Sequence, residues 1–138
     1  PLQSLTVAYA PVTDLTPLEG MPLLHLYISN TKVHDLAPLK GMPLESLHLD
    51  RTHITNLNVL KGMPLRRLRL DGCTQLTDLS PLTHCPNLEV LVLPPHHGDI
   101  SFLKKLPKLN RLSYRFDLDE RKIQTTSHFW SSRQQTRR

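Results

Sequence analysis

The chain has 138 residues, 38% hydrophobic and only 5% aromatic, with a formal charge of +5. This length fits one domain, and the regularly recurring leucines with mixed charges exclude an intrinsically disordered chain. Two cysteines, Cys73 and Cys85, are too few for a disulfide scaffold and lack zinc-motif spacing. No stretch approaches the roughly 18 apolar residues of a membrane-spanning helix.

From the first residue the sequence repeats. Pro-Leu stands at Pro1-Leu2, Pro22-Leu23, Pro43-Leu44 and Pro64-Leu65, 21 residues apart each time. Two further starts follow, at Pro86-Asn87-Leu88 and Pro107-Lys108-Leu109, after steps of 22 and 21. Within a unit, Leu23, Leu26, Ile28, Val33, Leu36, Leu39 and Met42 return as Leu44, Leu47, Leu49, Ile54, Leu57, Leu60 and Met63. The fourth unit carries one extra residue in its turn, which accounts for the 22-residue step. The Leu-x-Leu alternation predicts a strand with one buried face. The stretch that follows, as in Asp35-Leu36-Ala37-Pro38-Leu39-Lys40-Gly41, predicts a very short helix or 3-10 turn. Asp, Ser or Thr caps its start, Pro sits in its first turn, and Gly20, Gly41 and Gly62 close it.

The pattern L-x-x-L-x-L-x-x-(T/C)-x-(V/I/L), held over residues 1–116, resembles the leucine-rich repeat family. The resemblance implies an α/β solenoid: a right-handed horseshoe with a parallel sheet on its concave face and short helical or 3-10 turns on its convex face. The physics agrees, because a unit this small buries its apolar side only by stacking on its neighbours. Six strands about 4.8 Å apart make a stack roughly 25 Å long. The position after each strand, where such repeats usually carry Asn, is here Ala10, Thr31, Thr52 and Cys73. This variant is similar to short bacterial 21-residue repeats, including those attached to serine/threonine kinases and those of internalin-like proteins.

The two ends differ. Leu2, Leu5 and Val7 begin a full repeat with no polar cap, so the chain is expected to be the C-terminal part of a larger bacterial protein. After Leu112 the leucine pattern decays. Residues 117–130 read as a capping segment, with Phe129 and Trp130 over the last strand, and 131–138 as a disordered basic tail. Thr125–Trp130 also resembles the ending of the kinase-associated repeats. Charge divides along the same line: residues 1–103 hold 7 basic and 9 acidic side chains, residues 104–138 hold 10 and 3.

On a strand, residues between the buried leucines face outward. The central outward column reads Thr6, Tyr27, His48, Arg69, Val92, Ser113. Its neighbours read Ser4, His25, Ser46, Arg67, Val90, Arg111 and Ala8, Ser29, Asp50, Asp71, Pro94, Arg115. Tyr27, His48, Asp50, Arg51, Arg67, Arg69 and Asp71 are therefore the candidate partner-binding patch, rich in hot-spot residue types. Arg67 and Arg69 are placed to fork around a carboxylate or phosphate. Arg51 and Arg69 are expected to offset the like charges of Asp50 and Asp71. Arg111 and Arg115 are candidate anion contacts.

These residues read as a non-catalytic module that binds a protein or peptide partner. No phosphate loop, nucleophile elbow, zinc-protease or kinase signature is present, so no catalytic residue, cofactor or metal is expected. His96, His97 and Asp99 read as an exposed turn, not a metal site. Two alternatives are a regulatory tail of a serine/threonine kinase, as the resemblance implies, and nucleic-acid or anionic-surface binding through the basic end, whose tail lacks interleaved aromatics for base stacking. Two reduced cysteines and no visible signal peptide point to the cytoplasm.

Overall fold

The computed structural model describes residues 1–136. Six three-residue strands carry the leucine pattern: β1 (Ser4–Thr6), β2 (His25–Tyr27), β3 (Ser46–His48), β4 (Arg67–Arg69), β5 (Val90–Val92) and β6 (Arg111–Ser113). They form one parallel sheet in chain order. The central leucines align as Leu5, Leu26, Leu47, Leu68, Leu91 and Leu112. Pairing continues past each strand, as in the Ile28 N–H to His48 O and Leu49 N–H to Arg69 O bonds at 3.0 and 2.9 Å.

The step from β4 to β5 is longer than the repeat starts suggest, because Arg67 pairs with Val90, 23 residues on. One inserted residue lies in the turn before Leu76. The other is Asn87, wedged between Pro86 and Leu88.

The return segments are 3-10 turns at Thr16–Leu18, Ala37–Leu39, Asn58–Leu60, Ser80–His84 and Ser101–Lys105. An Asp or Asn precedes each one. Its side chain accepts from the backbone N–H two residues on, at 2.9 Å from Asp14, Asp35, Asp78 and Asp99 and 2.6 Å from Asn56. This Asx bond fixes the turn locally. Gly41, at φ +78°, closes one of them in the left-handed region.

Between sheet and turns runs one continuous core. Leu23, Leu26, Ile28, Leu44, Leu47, Leu49, Leu65, Leu68 and Leu70 are all buried. Each such side chain contributes about 1.5–3 kcal/mol on burial. The Thr and Cys after the strands close the core's polar edge. Thr31 and Thr52 donate to the carbonyls of Ile28 and Leu49 at 2.9 and 2.6 Å, and Cys73 Sγ reaches back one repeat to Leu49 O at 3.0 Å.

At the C-terminal end, a 3-10 turn (Glu120–Lys122) leads to an antiparallel bridge between Thr125 and Arg111. Helix α1 (Thr126–Thr136) follows. Its Phe129 is buried, with Trp130 edge-on to it at 5.1 Å. The helix occupies most of the stretch expected to be a disordered tail. Thr125 O accepts from Phe129 N–H and starts the helix, and the packed Phe129 holds it against β6. Residues 137 and 138 of that expected tail lie outside the described residues.

Candidate functional site

The strand register places the outward side chains in columns. Ser4, His25, Ser46, Arg67, Val90 and Arg111 stand side by side, as do Thr6, Tyr27, His48, Arg69, Val92 and Ser113. Backbone pairing of Asn30 and Arg51 with Asp50 and Asp71 continues the third column.

At its centre Arg69 holds both stacked aspartates. Nε and Nη2 donate to Asp71 at 2.7 and 3.1 Å, and Nη2 lies 3.4 Å from Asp50 Oδ2. Asp50, 2% exposed, also accepts from the Ser29 hydroxyl at 2.6 Å. This satisfies two carboxylates that would otherwise repel.

Arg51 takes no part in that compensation. It sits in a left-handed turn at φ +56°, one of a column formed by Tyr9, Asn30, Arg51 and Gly72. The turn carries its side chain off the strand face and over Gly72. Among the described residues Arg51 forms no ion pair.

Arg67 and Arg69 do not fork around one group. Arg67 pairs with Glu120, while Arg69 turns to the aspartates. Arg111 donates from Nη1 to the carbonyls of Ile123 and Arg121 at 2.8 and 3.3 Å. Arg115 lines an open groove with Arg121, Lys122 and His128.

The main feature absent from the sequence reading is a strap, residues 116–123, that folds back across the sheet. Phe116 lies over the Arg69 guanidinium at 3.9 Å from ring centroid to Cζ, and edge-on to His48 at 5.6 Å. His48 is in turn edge-on to Tyr27 at 4.5 Å, so Tyr27, His48 and Phe116 form an aromatic row. Burial in this row pushes the His48 pKa down; Arg69 adds to the shift, and Asp50 and Asp71 oppose it. Ile123 is buried, and outward-facing Val90 and Val92 are only 7% and 1% exposed. A residual cavity of about 20 Å³ between strap and sheet has room for about one water molecule.

Two signals could have exposed the strap. One is the pair of valines in otherwise polar columns; the other is the acidic run Asp117, Asp119, Glu120 in a basic end. The part of the face over β1 and β2 lies outside the strap's contacts, and there the His25 Nδ1 atom is shielded from solvent with no hydrogen-bond partner.

Among the described residues no group of three or more His, Cys, Asp or Glu could hold a metal ion. No described helix is long and apolar enough to cross a membrane. His97 is engaged by Tyr114, ring nitrogen to hydroxyl at 2.6 Å.

No protein-family model and no curated protein matches the chain. Among solved structures it is similar to an internalin, InlF, of Listeria monocytogenes, with 26% identity and a TM-score of 0.73 over 80% of this chain and 34% of that one. It is also similar to internalin C2 of the same organism, with 25% identity and a TM-score of 0.62 over 88% of this chain and 66% of that one. The chain thus spans about a third of the first neighbour's length and just under two thirds of the second's.

Proposed function

The chain is a leucine-rich repeat protein, and from that premise we propose that it is a non-catalytic interaction module binding a protein or peptide partner on its concave face. The observation that carries this reading is the aromatic row that runs from beneath the strap at His48 to Tyr27 beyond it. Tyr27 and His48 stand in contact at mid-column, flanked by His25 and Ser46 on rigid strands. Aromatic side chains on a rigid surface offer large contact area at low entropic cost. Internalin neighbours support the same class of function.

The candidate patch narrows within this proposal. Tyr27 and His48 remain its partner-facing members. Asp50, Asp71 and Arg69 shape it from beneath, and Arg67 marks its boundary with the strap. Charge reversal at Arg67 or Arg69 would break internal pairs as well as partner contacts, so the part outside the strap's contacts gives the cleaner test.

A displayed peptide library is panned against the immobilised protein, and the enriched peptides are titrated against Tyr27→Ala and His25→Ala. Affinity is expected to fall by roughly tenfold or more for Tyr27→Ala, the loss typical of an aromatic anchor, with circular dichroism unchanged. Enriched peptides indifferent to both substitutions would place binding elsewhere and sink the proposal.

A further inference from the structure

The strap meets the sheet in an unusual way. Its contacts with the concave strands are made by side chains: Phe116 on Arg69 and His48, Glu120 on Arg67, Ile123 near Val90 and Val92. Its backbone is held by the Arg111 guanidinium and joins the edge of β6 only from Gln124 onward. The Arg67–Glu120 pair is half-exposed, with side chains 36% and 42% accessible. Between the two anchors Leu118 bows away from the face and is 91% exposed. An aromatic ring and a carboxylate four residues apart thus grip a surface of arginine and aromatic side chains while the chain between them arches into solvent. This is how a short acidic peptide engages a groove, by one ring in a pocket and one charge-assisted pair.

We propose that the concave face over β3 to β5 is a binding site for an acidic peptide carrying an aromatic side chain, and that residues 116–120, Phe-Asp-Leu-Asp-Glu, occupy it as an internal ligand that such a partner displaces. The inference rests on the interaction reading above and gives its partner a chemistry. Each strap contact has a one-for-one replacement in an incoming peptide. The ring takes the place over Arg69 beside His48, the carboxylate takes Arg67, and the aromatic row extends to Tyr27 on the open side, where the peptide first lands. Phe116 and Glu120 are the residues that must leave.

The test uses the full chain and a fluorescein-labelled synthetic peptide, Phe-Asp-Leu-Asp-Glu-Arg-Lys-Ile, followed by fluorescence anisotropy. Opening the strap with Phe116→Ala plus Glu120→Gln is expected to tighten peptide binding by roughly tenfold or more, because an occupied site lowers apparent affinity by its unoccupied fraction. Adding Arg67→Glu, or replacing the peptide's Phe by Ala, is expected to abolish binding. Equal affinity for wild type and opened protein, no binding to either, or binding that survives Arg67→Glu would overturn the proposal.

Hydrogen exchange on the wild type keeps the question decidable if the opened variant misfolds. The amides of 116–123 should exchange by local opening, well before those of β3 and β4. Exchange of the strap only on global unfolding would overturn the proposal, as would a concentration-dependent dimer in which a second copy supplies the strap. If library peptides bind through Tyr27 while this peptide does not, the internal-ligand inference alone falls. If neither binds, the interaction reading falls with it.

Discussion

The guanidinium of Arg69 lies 3.9 Å from the ring centroid of Phe116 while the same group holds Asp50 and Asp71. One side chain therefore links the interior acidic pair of the third column to the strap above the central one.

Replacing Arg69 by Met keeps its apolar length but leaves Asp50 and Asp71 adjacent and without their cation. Because Asp50 is almost wholly buried, the loss is expected to be about 3–5 kcal/mol, read as a shift in the urea midpoint. The double variant Arg69→Met with Asp50→Asn should recover a large part of it. A midpoint unchanged in the single variant would contradict the clamp.

His48 gives the protein a pH dependence of definite sign. Its folded pKa lies below its ordinary value of 6.5, chiefly through burial between Tyr27 and Phe116, with Arg69 adding to the shift against Asp50 and Asp71. In the window between the folded and unfolded values the unfolded chain binds more protons. Stability is therefore present above about pH 6.5 and lost as pH falls through the folded pKa. Urea midpoints measured from pH 7.5 downward should fall faster for wild type than for His48→Gln; parallel curves would remove His48 as the source.

Both cysteines should be silent in the native state. Each is buried and donates to a carbonyl, Cys73 to Leu49 O and Cys85 to Leu60 O. Burial raises both thiol pKa values, that of Cys85 to about 11, and the thiolate is the reactive form. A thiol reagent at pH 8 is expected to titrate two groups in denaturant and almost none in buffer over the same interval. Rapid native labelling of either would show that the core breathes there.

The left-handed column makes a prediction at Gly72. At φ +76°, an added Cβ would lie 2.6 Å from Arg51 Cγ. Gly72→Ala is expected to cost about 1–2 kcal/mol from the backbone alone. Adding Arg51→Gly relieves both the contact and the strain at residue 51, so the double variant should be more stable than the sum of the single changes predicts. Strict additivity in a denaturation cycle would refute the coupling.

Periodicity made the sheet legible. A 21-residue repeat fixes which side chain sits beside which, so spacing alone puts Tyr27, His48 and Arg69 in one column. It also made the turns legible, because Asp before Leu-x-Pro-Leu has a local bond to form. What periodicity cannot carry is a contact made once. Phe116 ends the repeat and Glu120 lies beyond it, and no spacing points them at residues 47 and 53 positions earlier. Helix α1 escaped for a related reason: Thr126–Thr136 holds only two large apolar side chains, Phe129 and Trp130, adjacent rather than spaced by a helical turn. Arg51 follows its strand directly, and only the Asn30 and Gly72 at equivalent positions mark the left-handed turn that carries it off the face.

In a solenoid whose units touch only their neighbours, unfolding proceeds like melting in a one-dimensional chain, one unit at a time from an open end. The strap breaks that rule, because it ties β3 and β4 to the segment beyond β6 and so couples units that do not otherwise meet. Under heat or force, the units carrying β3 to β6 should yield as a single block, while those carrying β1 and β2 fray stepwise.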